Sequence, residues 1–177
     1  MTTPQDRAEP GFRHLLRVQT KAAHDTAEAV FSRFINDPRA GLAWFLAAQH
    51  AAFAALQHGA QTGALLSDLT ARLESDLADL GRVPVAVRGV DIDPLAVDYL
   101  VLGSRLGTEV LRRRLMAETP PMPIPSYFLA CAAPGLWRQH CACLDAIAPD
   151  SPRARHLTID VIAGYELFRR AAGAQPD

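Results

Sequence analysis

The chain has 177 residues, of which 49% are hydrophobic and 21% are charged, and its formal net charge is −1. This composition is typical of one globular domain large enough for a core, and it excludes the basic surface expected of a nucleic-acid-binding protein. The apolar runs are too short and too rich in alanine to span a bilayer, and the first 11 residues lack the apolar segment of a signal peptide. We therefore expect a cytoplasmic protein with no membrane or nucleic-acid partner.

Helical periodicity and capping residues divide the chain into six or seven helices with no convincing strand, which predicts an all-α bundle. The predicted helices run from Phe12 to Asn36, from about Leu42 to His58, from an N-cap at Ser67 to Gly81, from Asp93-Pro94 through Arg114, from Ser126 to Ala132, from Leu136 to Ile147, and from Ser151-Pro152 to about Ala172. Residues 82–93 are predicted to form a loop. We expect one domain over residues 12–172, with flexible tails at 1–11 and 173–177.

The three cysteines, Cys131, Cys141 and Cys143, are odd in number and clustered. This pattern argues against a disulfide framework. Cys141 and Cys143 are two residues apart, so on a helix they point in different directions and do not form a metal clamp. We expect buried, reduced thiols.

His24 lies in the first predicted helix, with Glu28 four residues later and Arg17 seven residues earlier. A carboxylate at the (i, i+4) spacing can reach the imidazole, where it fixes the tautomer and strengthens a metal-ligating nitrogen. Arg17 lies on the same stripe, about 10 Å away along the helix axis. A ligand with a metal centre and an acidic edge would suit this stripe, although a single histidine on a helix can equally be an ordinary surface or core residue.

Gly103 and Gly107 lie in the middle of a predicted helix, where each costs about 1 kcal/mol relative to alanine. They are four residues apart and share one helix face with Tyr99 and Val110. A helix face without side chains indicates that something comes very close to the backbone. Two interpretations fit: a flat ligand, or a second helix packed tightly through small residues.

Together these stretches resemble the heme oxygenase family, particularly the bacterial enzymes associated with bacteriophytochromes. The likeness is carried by Leu16-Arg17-x-x-Thr20-x-x-x-His24-x-x-x-Glu28 and by Gly103-Ser104-Arg105-Leu106-Gly107, and more loosely by Ile162-Ala163-Gly164 and Phe168-Arg169. The resemblance implies a single-domain, heme-oxygenase-like bundle with heme between the first helix and the glycine helix. It also implies His24 as the iron ligand, Glu28 as its orienting carboxylate, and Arg17 and Lys21 as partners of the heme propionates.

For the glycine helix, the resemblance implies that Tyr99, Gly103 and Gly107 lie against the porphyrin. Gly103, Ser104, Gly107 and Thr108 would then form the catalytic distal segment. Leu102 stands where many bacterial members have glutamate, and Thr108 stands where the family usually has a further glycine. Thr108 is expected to bring bulk and a hydroxyl group near the distal pocket.

In the family, heme is both the substrate and the oxygen-activating cofactor, and its ring is opened to biliverdin with release of CO and iron. The implied partners are an external electron donor, either a reductase or a ferredoxin-type protein, and a bacteriophytochrome that receives the bilin. Three alternatives stay open. They are a heme carrier or sensor with the same pocket, a thiaminase-like enzyme of related fold that would need a catalytic cysteine, and an alanine-rich helical interaction protein without a ligand.

Overall fold

The fold is described from a computed structural model covering residues 11–57, 59–131 and 133–176. Within these residues it is built from helices without a strand, which confirms the predicted all-α class. The helices are α1 (Phe12–Val30), α2 (Ser32–Asn36), α3 (Pro38–Ala55), α4 (Gly63–Asp79), α5 (Pro94–Met116), α6 (Pro134–Asp145) and α7 (Pro152–Ala174), with a 3-10 helix at Ser126–Leu129. No helix in this part of the chain is both long enough and apolar enough to cross a membrane.

Two predicted helix boundaries were wrong. The first predicted helix is divided into α1 and α2 at Phe31, whose amide donates to the carbonyl of Glu28 three residues back rather than four. Ser67 is not an N-cap, because it lies one turn inside α4 and its hydroxyl donates to the carbonyl of Gly63. Thr62 precedes α4 without capping it, since its hydroxyl donates to the Asp98 carboxylate at 2.7 Å.

The predicted ends of several elements also differ from the structure. Helix α3 ends at Ala55, short of the predicted end, and His58 lies outside the described residues. The segment from Ser126 forms a single 3-10 turn, because Asp76 of α4 accepts hydrogen bonds from the first two amides of that turn. Helix α7 continues through the predicted C-terminal tail to Ala174, whereas residues 1–10, Ala132 and Asp177 lie outside the described residues.

Other predicted boundaries are confirmed by their capping contacts. Asp93 caps α5 by accepting from the amide of Leu95, and Ser151 caps α7 by accepting from the amide of Ala154. Gly81 has a φ of +62°, and this left-handed conformation after α4 is one that glycine adopts without strain.

Helix α7 lies at the centre of the bundle, with α1, α3 and α5 packed against it. Gln19 of α1 meets Thr158 of α7, and His24 meets Tyr165, so the two helices run in the same direction. Residues 82–93 form the predicted loop, which lies along α7. Gln175 at the end of α7 holds this loop by bonding both the amide and the carbonyl of Val85, at 2.8 and 2.9 Å.

The cysteines are all free, but only one of them is fully buried. Cys141 is buried in α6, Cys143 is partly buried, and Cys131 is exposed. The expectation of three buried thiols is therefore wrong for Cys131, which follows the 3-10 turn in the loop before α6.

Candidate functional site

His24 projects from α1 with 51% of its side chain exposed. Its Nδ1 atom lies 3.4 Å from Asp25 Oδ1 and 3.9 Å from Glu28 Oε2. Glu28 is therefore close enough for charge attraction but too far for a hydrogen bond, and the nearer carboxylate is that of Asp25. Among the described residues Nε2 has no hydrogen-bond partner, which leaves this nitrogen available to a ligand.

The three side chains His24, Asp25 and Glu28 also offer ligand atoms within 4.8 Å of one another. All three are exposed, and Asp25 forms an ion pair with Lys21. The Lys21 and His24 contacts hold the pKa of Asp25 below its usual value. Spacing did not point to Asp25, since adjacent residues on a helix do not normally face each other.

Tyr165 of α7 packs against His24. The two ring centroids are 5.4 Å apart and the rings are nearly perpendicular. Tyr165 and Tyr99 of α5 are both partly buried and pack against the hydrophobic core, where each influences the ionisation of the other. Burial raises the pKa of both tyrosines above the ordinary value, so both hydroxyls stay neutral at physiological pH. Tyr99 was predicted to belong to the site, whereas Tyr165 was not.

The face of α5 that carries Gly103 and Gly107 is open. A Cβ atom added at either glycine would meet nothing within 4 Å. Leu106 and Val110 continue this face and are 57% and 67% exposed. We call these four residues the glycine strip.

Within the described residues no helix of the chain packs closely on Gly103 and Gly107, so the packing interpretation of these glycines has no support there. The contrast is Gly164 of α7, where an added Cβ would lie 2.0 Å from a methyl group of Leu100. Gly164 is therefore the glycine that lets two helices, α5 and α7, approach each other closely. Its position next to Tyr165, and that of Leu100 next to Tyr99, brings the two tyrosines together.

Helices α1 and α5 both pack on α7. One turn beyond Thr20 on α1 is His24, and one turn beyond Tyr99 on α5 is Gly103. We give the name α1–α5 groove to the candidate surface made up of His24, Tyr165, Tyr99 and the glycine strip, whereas the cavity that the structure shows at Tyr165 lies between α1 and α7. The α1–α5 groove combines an available imidazole nitrogen with an apolar helix face that no part of the described chain covers.

The two predicted cationic residues, Arg17 and Lys21, are both exposed on α1. Lys21 is engaged by Asp25, but Arg17 has no acidic partner within the described residues. The positive charge of Arg17 opposes the rise that burial causes in the pKa of Tyr99.

Ser104 and Thr108 direct their hydroxyls to their own helix. Ser104 donates to the carbonyl of Val101 and Thr108 to the carbonyl of Ser104, both at 2.8 Å. Thr108 is only 2% exposed and interacts with the Tyr127 hydroxyl, because it is rotated about 100° from Gly107 around the helix. The predicted role of Thr108 near a distal pocket stays a prediction, and this orientation does not favour it.

His140 of α6 is a second histidine near the groove that the sequence did not reveal. It is fully buried, and neither ring nitrogen has a hydrogen-bond partner within the described residues. Its ring lies 6.1 Å from those of Tyr99 and Trp137. Burial lowers the pKa of His140, and the nearby Asp98 carboxylate opposes that shift.

The chain matches no protein-family model and no curated protein. The resemblance to heme oxygenases therefore rests on the two sequence motifs, and the heme-oxygenase-like fold stays a prediction beyond the all-α class.

Proposed function

We propose that the protein is a heme-degrading monooxygenase that opens heme to biliverdin with release of CO and iron. The observation that carries the proposal is an open glycine strip on α5 together with an imidazole on α1 whose Nε2 is available, on two helices that both pack on α7. A flat, largely apolar, metal-containing ligand would bury the strip and ligate the histidine at once. The composition of the groove therefore fits heme.

The four predicted residues of α1 each have a role in this proposal. His24 Nε2 would ligate the iron, while Asp25 and Glu28 would orient the imidazole through Nδ1. Arg17, which has no acidic partner among the described residues, would bind one propionate. Lys21 would bind the other after exchanging its contact with Asp25.

On the other wall of the groove, Gly103 and Gly107 would let the α5 backbone lie against the porphyrin, with Tyr99 at its edge. When bound, heme would supply dioxygen binding and electron transfer, and the protein would supply position. Leu106 and Val110 would exclude water from the ring, which favours reaction of the porphyrin over loss of reactive oxygen to solvent.

The reaction needs electrons from outside the chain, and we propose a reductase or a ferredoxin-type donor as their source. A bacteriophytochrome is the proposed receiver of the bilin. We propose the cytoplasm as the compartment, because reduced donors are available there and a free exposed thiol such as Cys131 persists there.

A second candidate function is a heme carrier or sensor with the same groove. It is favoured by the hydrogen bonds of Ser104 and Thr108, since both hydroxyls are used by the helix and the strip itself presents only apolar side chains. Such a surface would hold heme without helping to direct protons to bound oxygen.

The experiment is titration of the purified protein with hemin, followed by addition of ascorbate or a ferredoxin–reductase system. The monooxygenase predicts a histidine-ligated heme spectrum that gives way to biliverdin and CO, whereas the carrier predicts a spectrum stable to reductant. His24→Ala should abolish the histidine-ligated spectrum. His14→Ala is the matched control, because His14 is an exposed histidine of the same helix. An unchanged spectrum in His24→Ala would reject the proposed ligand.

A further inference from the structure

We infer that Tyr165 of α7 orients the imidazole of His24 through the contact between their rings, and so positions the metal ligand. Tyr165 is thus a positioning residue, and it lies outside both motifs that suggested the site. The inference rests on the proposed function where it concerns heme, but its structural part applies to the ligand-free protein.

The contacts of His24 lead to this inference. Within the described residues its hydrogen-bond and ion-pair partners, Asp25 and Glu28, belong to its own helix and are themselves exposed. Exposed carboxylates on flexible side chains restrain a partner weakly. The ring contact with Tyr165 is the one that joins His24 to a different helix, and its perpendicular geometry is the preferred arrangement of aromatic pairs.

Tyr165 can restrain another side chain because it is itself restrained. It is partly buried and packs against the hydrophobic core. Gly164 lets α7 approach Leu100 closely, so the backbone next to Tyr165 is fixed by core packing. The ring contact with His24 therefore connects α1 to α7, the helix on which α5 also packs.

This arrangement explains how the His24 imidazole and the glycine strip, which belong to different helices, can keep a fixed relative orientation. The imidazole is a side chain of α1, whereas the glycine strip is a backbone face of α5. Without a connection between them, rotation of His24 about its side-chain bonds would change the direction of Nε2. With the ring contact, that direction is set by Tyr165, a residue of the helix on which both α1 and α5 pack.

The test uses four variants of the full chain. Tyr165→Leu and Tyr165→Met remove the ring, and the unbranched, flexible Met side chain can adapt to the vacated space if the Leu variant does not fold. Tyr165→Phe keeps the ring and removes the hydroxyl. Phe168→Leu is the matched control, because it removes a packed ring from the same helix, one that contacts Phe53 rather than His24.

The first measurement needs no heme. In the wild type, NMR should show a cross-peak between the His24 and Tyr165 rings and a His24 ring-proton shift displaced from that of the exposed His14. Tyr165→Leu or Tyr165→Met should move the His24 shift to the value of His14. Tyr165→Phe and Phe168→Leu should retain the displaced value.

The second measurement uses hemin as the probe. We expect Tyr165→Leu or Tyr165→Met to weaken hemin affinity about fivefold and to broaden the iron–histidine vibrational band, with rescue in Tyr165→Phe. Either of two outcomes would overturn this inference without affecting the proposed function. One is a His24 signal in the wild type that is not displaced from that of His14. The other is that the ring-removing variants bind hemin within twofold of the wild type and leave the vibrational band unchanged. A wild type that binds no hemin would instead overturn the proposed function, while the NMR result would still decide whether Tyr165 orients the ring.

Discussion

At the scale of single residues, the ion pairs that a cationic side chain already forms affect its expected contribution to heme binding more than its residue type does. Arg17 and Lys21 are both exposed cations of α1, yet only Lys21 has an acidic partner within the described residues. Binding a propionate would cost Arg17 no existing ion pair, whereas Lys21 would have to leave Asp25. We therefore expect Arg17 to contribute more to heme affinity than Lys21.

Arg17→Glu tests this expectation. Reversing the charge removes a charge-assisted hydrogen bond of about 1.5–3 kcal/mol, so hemin affinity should fall at least about tenfold. The melting temperature of the ligand-free protein should barely change, because Arg17 is exposed. Arg88→Glu is the control. Arg88 is also exposed and lies in the loop of residues 82–93, where its carbonyl accepts a hydrogen bond from Arg170 of α7. Equal hemin affinity in wild type and Arg17→Glu would reject the assignment.

Thr108→Gly addresses the residue that departs from the family pattern. Because Thr108 is buried and its hydroxyl bonds within α5, the change should cost about 1–2 kcal/mol in the free energy of unfolding. Biliverdin yield per folded molecule should not increase. Denaturant unfolding and bilin absorbance measure the two effects, and faster heme degradation in the variant would show that Thr108 does influence the groove.

At the scale of the helices, glycine has two opposite uses in this protein. Gly107 of α5 leaves a surface open, whereas Gly164 of α7 allows a close helix contact. From the sequence, an open face and a close helix contact were alternative explanations for the glycines of α5. In the structure the open face lies on α5, and the close contact is made by Gly164 of α7. Adding a side chain should therefore change the stability of the ligand-free protein in opposite directions at the two positions.

Gly107→Leu should block hemin binding while raising the stability of the ligand-free protein by about 0.5–1 kcal/mol, because leucine is the better helix former. Gly164→Ala should instead lower that stability by about 1–3 kcal/mol, since its Cβ would overlap the buried Leu100. Thermal melting and hemin titration of both variants provide the comparison. A Gly107→Leu protein that still binds hemin normally would contradict the proposed binding mode.

The sequence predicted those features that depend on neighbouring residues along the chain. Asp93 and Ser151 were recognised as caps because an acidic or hydroxyl side chain before proline is a local signal. Ser67 carries the same kind of signal, but Thr62 bonds to Asp98 on α5 and α4 begins earlier. Tertiary contacts of this type are not encoded in local spacing.

The same limit applies to the candidate site. His24 and the two glycines were found from spacing within single helices. Tyr165 was not found, because its partners His24 and Tyr99 are 141 and 66 residues away in the chain. His140 was missed for the same reason, since its importance arises from burial beside Tyr99 and Asp98.

At the scale of the whole molecule, the buried His140 makes stability depend on pH. Its pKa is lowered in the folded state, so the unfolded chain binds a proton more readily, with an imidazole pKa of about 6.5. The contribution of the neutral, buried His140 to the free energy of unfolding is fully present above that pH and is lost as the pH falls below it. The free energy of unfolding should therefore decrease from about pH 7.5 to about pH 5.5.

His140→Phe should flatten this dependence while keeping an aromatic ring beside Tyr99 and Trp137. His156→Ala is the control, because that side chain is 72% exposed. Urea unfolding at several pH values measures the slope. An identical slope in wild type and His140→Phe would show that other groups carry the pH dependence.

The central position of α7 has a consequence for the order of events during protein synthesis. Helices α1, α3 and α5 all pack on α7, which is translated after them. Until α7 emerges from the ribosome, the earlier helices lack the surface that buries their apolar faces, and the nascent chain presents those faces to its surroundings. Such exposed faces favour chaperone binding and aggregation. We therefore expect ribosome-bound chains arrested before Pro152 to bind chaperones that release the chain once α7 is available.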